Sequence, residues 1–560
     1  MFLPTSKKEM DKMGWDACDV IIVTPDAYVD HPSFAMAILG RFLEKNGYKV
    51  GILSQPKWKE PKNFLELGIP RIAFAVSGGQ MDSMVLNYTA TNIPRKEDLF
   101  CENKNPFFSQ KGDLKKYRIR PDRCINVYCS QIRSVSKNVP IIIGGIEASL
   151  RRIAHYDYWT NKIRRSVLFD SKADILIYGM GEYPLLRTIE KLESGITIDE
   201  LDVESTGIII KNIDGFSDVV TLPSFEEVKS QKSEFAKAQN LFEKNGDNKY
   251  LAQMQDSRYY FQNPRMNITQ KELDFIYDTD FERCPHPRFE NVPAFEMIKT
   301  SVNSHRGCYG DCSFCAIASH QGKSVISRSR ESVIKEIRKI ASQPDFKGTI
   351  SDIGGPSANM YASSCSVGGC TEHNCLKDGY GCKNLISGTD EYLSLLIDAG
   401  NIGRVKHVFI NSGIRFDPAI LDETFLCEIL KNNISGQMKV APESGSDKVL
   451  GYMNKPSKEV FEKFLKTFNK IKKEEGIRKF VIPYIITGHP GEDDIEAEKT
   501  KNFLDKNNLR GKQFQVFTPT PMTRSTAMYY LGYDPKSGEP VHSEKNQKRL
   551  NSRKMAMIDK

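Results

Sequence analysis

The chain has 560 residues, 39% of them hydrophobic and 27% charged, and 79 Lys and Arg against 71 Asp and Glu leave a net charge of +8. That length allows two to four domains, and the balance is that of a globular chain rather than a disordered one. No apolar run reaches the roughly 18 residues of a membrane span, and Met1–Lys12 lacks the apolar centre of a signal peptide. The expected setting is therefore cytoplasmic, with no membrane partner. Thirteen cysteines in such a compartment read as metal ligands rather than a disulfide framework. The modest positive charge admits nucleic acid as a partner without arguing for it.

In chain order, Asp19–Thr24 is a short apolar run of strand type, and Pro32–Asn46 has helical periodicity closed by Gly47. Tyr48–Leu53, Arg71–Ser77, Pro140–Gly145 and Asp174–Gly179 are further strand candidates, the last followed by a helix opening at Gly181-Glu182. Strands alternating with helices predict an α/β domain with a doubly wound parallel sheet over residues 1–194. Ligands of such sheets bind at the carboxyl ends of the strands, where Gly78, Gly79, Gly144, Gly145, Gly179 and Gly181 gather. No Gly-x-Gly-x-x-Gly follows the first strand, which weakens a dinucleotide reading. The segment Ala148–Trp159, with Arg151, Arg152, His155, Tyr156 and Tyr158, reads either as a pocket lining or as an amphipathic helix end.

Through its Gly-Gly after one strand and Gly-x-Gly-Glu after the next, this domain resembles the Rossmann-like cobalamin-binding module found before many radical S-adenosylmethionine (SAM) barrels. It departs from that module in one respect. Asp30 and His31 are adjacent and no glycine lies three residues after His31, so the Asp-x-His-x-x-Gly motif for a lower cobalt ligand is absent. The resemblance suggests cobalamin and the missing motif argues against it. The favoured expectation is a domain that shapes the barrel mouth and admits substrate, with room at the strand-end glycines for a flat or phosphate-bearing molecule. Residues 195–293 are polar and read as a connector, with a helix over Phe225–Gly246 and an extended end at Pro285, Pro287 and Pro293.

From residue 294 to 530 a second αβ repeat is expected. Its strand candidates are Thr300–Ser304, Thr349–Ile353, Val405–Asn411, Met438–Pro442, Phe480–Thr487 and Gln513–Thr518. Helices are expected over Ser332–Ala341, Leu421–Leu430 and Lys458–Lys473. Six such units predict a partial (β/α)6 barrel, whose active site lies at the carboxyl ends of the strands. Directly after the first strand come Cys308, Cys312 and Cys315, at Cys-x-x-x-Cys-x-x-Cys spacing with Phe314 before the third. Iron–sulfur clusters take cysteine thiolates at such spacings, whereas structural zinc takes four ligands from two knuckles. Three thiolates would leave one iron of a [4Fe–4S] cube open.

The triplet with Arg306, Gly307 and Phe314 resembles the cluster loop of radical SAM enzymes. The resemblance implies that SAM chelates the open iron, and that an electron from the cluster cleaves it to a 5′-deoxyadenosyl radical that abstracts hydrogen. The following strand ends carry Gly354-Gly355-Pro356, Ser412 and Arg415 in Asn411–Arg415, Glu443 in Ala441–Ser446, and Gly488–Glu492. These are similar to the family's SAM-binding turns, so Phe314, Gly354, Gly355, Pro356, Ser412, Arg415 and Glu443 are the implied SAM contacts. Over residues 9–550 the sequence is similar to YgiQ-like radical SAM proteins, through stretches such as "GGIEASLRRIAHYDYW", "SVNSHRGCYGDCSFC" and "TPTPMTRSTAMYY". That likeness implies a reducing donor such as flavodoxin or ferredoxin and supplies no substrate.

An insert over residues 363–385 holds Cys365, Cys370, Cys375 and Cys382, with His373 among them. Four thiols so close suit a second cluster or a tetrahedral zinc site. The basic tail, 531–560, is expected to cover the barrel loosely or to be disordered. The reading is a radical SAM enzyme. One alternative is a methyl- or methylthio-transferase using cobalamin or a second cluster on RNA or protein. Another is a non-catalytic iron–sulfur redox sensor.

Overall fold

The computed structural model describes residues 1–108, 116–368, 375–509 and 513–558. The chain forms two compact units, one of residues 1–267 and 279–299, the other of 268–278 and 300–560. Among the described residues no helix is long and apolar enough to cross a membrane.

The first unit is built on a nine-stranded sheet. Its strands are β1 (Val20–Thr24), β2 (Val50–Ser54), β3 (Ala73–Ser77), β4 (Ile141–Gly144), β5 (Ile175–Ile177), β6 (Thr206–Ile210), β7 (Val219–Leu222), β8 (Tyr250–Gln255) and β9 (Arg258–Gln262). The order is β7-β8-β9-β6-β5-β4-β3-β1-β2. Strands β1 to β5 are parallel, with Ile22 facing both Ile52 and Ala75 across the ladders. Every residue of β1, β2 and β3 is buried, as in a sheet covered on both faces, which explains their continuous apolar runs. Helix α1 (Ala35–Lys45) turns Met36, Ala37, Ile38, Phe42 and Leu43 inward. The parallel half is the expected doubly wound core.

The expected connector is corrected here. Residues 206–262 add four strands to the same sheet, starting with β6 antiparallel to β5. Polar side chains hid them, because Gln253, Gln255 and Gln262 are fully buried within these strands. They are hydrogen-bonded rather than stranded, as buried amides must be. Gln253 Oε1 accepts from the Ala154 amide at 2.7 Å, and Gln262 Oε1 from Arg152 Nε at 2.9 Å. The guanidinium of Arg152 also lies 4.4 Å above the Tyr178 ring. Residues 151–157 are therefore interior to the first unit, with His155–Asp157 paired to Lys162–Arg164. The helical stretch expected over 225–246 is two helices, Phe225–Ser230 and Lys232–Asn245, broken at an extended Gln231.

The second unit carries β10 (Ser301–Asn303), β11 (Asp352–Gly354), β12 (His407–Val408), β13 (Gln437–Glu443), β14 (Phe480–Thr487) and β15 (Phe514–Val516). The ladders that join these strands are parallel: β10 with β11, Thr349–Ile350 with β12, and β13 with β14 with β15. Between them run α2 (Arg330–Ser342), α3 (Thr389–Gly400), α4 (Glu423–Asn432), α5 (Lys458–Glu474) and α6 (Asp494–Lys506). Val302, Ile337, Ile353, Leu395, Ile429, Met438 and Phe464 meet in one core. Asp422 caps α4, accepting from the Phe425 amide at 2.8 Å.

The tail is also corrected. Residues 547–557 are helical, with Leu550 and Met557 buried and Arg553 2.7 Å from Asp494. Two buried apolar side chains and the cations Arg549 and Arg553, both paired with Asp494 and Glu544, dock a stretch whose composition looked unfolded.

Candidate functional site

The cluster loop leaves the barrel just after β10, through a short pairing of His305–Arg306 with Ile326–Ser327. Gly307 makes the turn at φ +83°, and a side chain there would lie within 3.0 Å of the Ser324 carbonyl carbon, so only glycine fits. Cys308, Cys312 and Cys315 are half-buried in the loop that follows. The Gly310 amide donates to Cys308 Sγ at 3.4 Å. The buried guanidinium of Arg415 reaches in from the turn after β12, with Nη1 3.5 Å from Cys312 Sγ. Its other edge donates to Asp417, Nε to Oδ2 at 2.8 Å and Nη2 to Oδ1 at 3.2 Å. Asn359 fixes the backbone there, accepting from the Arg415 amide at 3.0 Å and donating to its carbonyl at 2.9 Å.

Burial raises the pKa of Cys308, with Arg415 pulling it back, and burial pushes Cys315 up to about 12. Metal coordination overrides such shifts, because a bound thiol is deprotonated outright. Three thiols, an amide on one sulfur and a buried cation on another suit an anionic thiolate-bound cluster. This donor set fits [4Fe–4S], with one iron left for a further ligand.

The other strand ends converge on the same unit. Asp352 binds the Asn411 and Ser412 amides at 2.8 and 3.0 Å and also takes the Ser412 hydroxyl. Ser412 is thus engaged in holding its own turn to β11. Gly354, Gly355 and Pro356 follow, with the buried His305 ring packed so that a side chain at Gly355 would come 2.5 Å from Cε1. Burial lowers the His305 pKa to about 4, so the ring is neutral near pH 7. Sequence reading passed over His305; its place just past β10 was the available signal.

Glu443 is buried at the end of β13, where the register with β14 slips, and it has φ +69°. A non-glycine residue held in that region marks strain of the kind kept at functional sites. Burial raises its pKa, while Lys455 and Arg415 work against that. Phe314 packs on Val449, Leu450 and Met453 and meets the His489 ring edge-on at 6.1 Å. His489 is fully buried, with Nε2 2.7 Å from Ser525 Oγ, and the Ser525 amide donates to Ser313 at 3.0 Å. The Gly488–Glu492 turn is thereby fastened to the cluster loop.

In the insert, Cys365 lies in a hairpin opposite Leu385, and the Cys382 amide donates to the Cys375 carbonyl at 2.9 Å. Cys370 and His373 lie outside the described residues. Among the described residues, no three His, Cys, Asp or Glu side chains are gathered as a single-ion site.

At Gly78 and Gly79 the strand ends of the first unit do not leave the expected room. Gly79 has φ +100°, and a side chain there would lie 2.5 Å from Arg120 Nη1 and 2.6 Å from Asp26 Oδ1. At Gly78 it would lie within 3.0 Å of the Glu147 carboxyl carbon. Arg120 is 1% exposed and bonds Asp26 at 2.7 Å, Asp98 at 2.9 Å and the Gly78 carbonyl at 3.0 Å. Glu147, its pKa raised by burial, takes the Ser83 amide at 2.9 Å. His31 is buried as well, Nδ1 accepting from the Ser33 amide at 3.1 Å. The chain's own ion network thus occupies the space beside Gly78 and Gly79.

Comparison with known proteins agrees with this geometry. Residues 2–301 match the family model "Radical SAM N-terminal" and residues 302–504 match "Radical SAM superfamily". A UPF0313 protein of Methanocella arvoryzae is 44% identical over 97% of this chain and 90% of its own length. One from Clostridium botulinum is 45% identical over 98% of this chain and 85% of its own, and one from Thermotoga neapolitana is 42% identical over 100% and 99%. Among solved structures, the radical SAM methyltransferase TsrM from Kitasatospora setae, with tryptophan substrate and a SAM analogue bound, has TM-score 0.54. It is 13% identical over 96% of this chain and 89% of its own. A second TsrM structure, with cobalamin and a [4Fe–4S] cluster bound, also has TM-score 0.54, at 12% identity over 97% and 91%. At that identity the likeness is one of fold.

Proposed function

Because this chain belongs to the UPF0313 (YgiQ-like) family of radical SAM proteins, we propose that it is an enzyme that cleaves SAM reductively at Cys308, Cys312 and Cys315. The bound [4Fe–4S] cluster supplies the electron, delivered by a low-potential donor of the flavodoxin or ferredoxin class. The observation that carries the reading is the buried Arg415 guanidinium on Cys312 Sγ at 3.5 Å, locked by Asp417. A fixed cation beside the sulfurs favours the anionic, ligand-bearing state of the loop and involves no rearrangement when charge arrives.

Around it, each strand end has a distinct task. The Gly354-Gly355-Pro356 turn offers backbone groups to the SAM amino group. Arg415 and Ser412 sit on the next turn, and Glu443 brings a carboxylate to the far side. Phe314 braces the loop against Leu450 and Met453.

The test is 5′-deoxyadenosine formation by anaerobically reconstituted protein with dithionite. Cys308→Ala, Cys312→Ala and Cys315→Ala should each abolish it. A single variant that keeps full cleavage would sink the assignment. A wild-type cluster that reduces without any cleavage would make the protein a redox sensor.

A further inference from the structure

The insert over residues 363–385 has almost nothing apolar to fold around. Val367 and Tyr380 are each 59% exposed, and Leu376 is its one fully buried aliphatic side chain among the described residues. A segment this short and this poor in core needs a covalent or metal staple to hold one shape. No disulfide links its described cysteines. Its backbone nevertheless ties the three cysteine-bearing segments to one another. The hairpin sets Cys365 opposite Leu385, the Leu385 amide donates to the Cys382 carbonyl at 3.0 Å, and the Cys382 amide donates to the Cys375 carbonyl at 2.9 Å. The return from Cys375 to Cys382 runs through Asp378, Gly379 and Gly381, all at positive φ, a tight turn that brings the chain back on itself.

One detail is shared with the cluster loop. The Asn384 amide donates to Cys382 Sγ at 3.4 Å, two residues on, as the Gly310 amide does to Cys308 Sγ at 3.4 Å. The three insert cysteines are also half-exposed, unlike Cys18, Cys101, Cys124 and Cys129, which are core residues. We infer that Cys365, Cys375 and Cys382 bind a second metal centre, an iron–sulfur cluster held by thiolates rather than a single ion.

The centre would act as a clamp. Tyr309, the residue after Cys308, is buried with Met360, Leu376 and Ile420, and both Cys308 and Cys375 pack on that small cluster. The Tyr309 hydroxyl donates to Ser363 Oγ at 3.0 Å, at the start of the insert. Fixing the insert therefore fixes the neighbour of a first-cluster ligand. The inference does not depend on SAM cleavage.

Full-length protein with Cys308, Cys312 and Cys315 all changed to Ala is reconstituted with iron and sulfide, or with zinc alone, and desalted. Iron, zinc and acid-labile sulfide are then counted per chain. The expected result is about three to four irons with sulfide, lost when Cys365→Ala, Cys375→Ala and Cys382→Ala are added. Iron with sulfide identifies the cluster, and zinc without sulfide overturns it. If that variant misfolds, the count is made on wild type against Cys375→Ser, where the total should exceed one cluster and fall to it. A folded protein with neither metal, or a thiol titration showing a Cys375–Cys382 disulfide, overturns the inference.

Discussion

Replacing Arg415 by Met tests whether its charge serves the sulfurs or only the packing. At 3.5 Å from Cys312 Sγ, and with an effective dielectric of about 20, one unit charge on sulfur is attracted by roughly 5 kcal/mol. Desolvation of the guanidinium offsets much of that. If about 1.4–2.7 kcal/mol survives as stabilisation of the charged loop, 5′-deoxyadenosine formation falls roughly 10- to 100-fold. Arg415→Met also strands Asp417, which is 1% exposed, and breaking a buried pair from one side costs about 3–5 kcal/mol. Adding Asp417→Leu removes the orphaned charge, so the double variant should regain most of the stability while cleavage stays low. Urea unfolding followed by far-UV signal and anaerobic product quantification measure the two effects separately. A double variant that cleaves SAM at the wild-type rate would refute the electrostatic role, and a single variant losing under about 1 kcal/mol would refute the buried pair.

Protein produced with excess cobalamin and freed of unbound corrinoid should show no one-to-one corrin absorbance; a tightly held equivalent would make methyl transfer the leading activity. His489 is held near pKa 3 by burial against 6.5 in the exposed ring. Below about 6.5 the unfolded ring therefore binds a proton that the folded one refuses until about 3. Stability is complete above that window and falls by about 1.4 kcal/mol per unit as pH drops through it. His489→Gln should flatten the fall between pH 6.5 and 5, and unchanged slopes in urea would contradict this. Leu550→Ala in the tail helix should cost about 2–5 kcal/mol; an unaltered urea midpoint would mean that the tail is not packed.

Much of the site was legible because its chemistry is local in sequence. The three cysteines, the Gly-Gly-Pro turn and the glutamate of the Glu-Ser-Gly-Ser run each follow a strand whose apolar character shows in the chain. β14 matched its expected limits because eight residues of strand type stand together. Val405–Asn411 shrank to His407–Val408 because the rest of that run bends into the turn holding Asn411 and Ser412. What stayed hidden depends on partners far along the chain. Gln253 and Gln262 look like surface residues until Ala154 and Arg152 are placed against them. Gly78 and Gly79 suggest an open slot until Arg120, about forty residues on, is seen lying in it. His305 looked like loop filling until Gly355 met its ring.

The helix Gln270–Tyr277 belongs to the second unit, yet the residues after it return to the first. Tyr277 is sandwiched by Arg328, 4.3 Å above its ring, and Arg306, at 5.1 Å, with Arg306 Nε donating to its hydroxyl at 3.3 Å. No single scission of the polypeptide can therefore separate the halves intact. A fragment beginning at residue 302, where the sequence similarity changes family, would lose β10's first residue and this helix, and bare two cations meant for an aromatic lid.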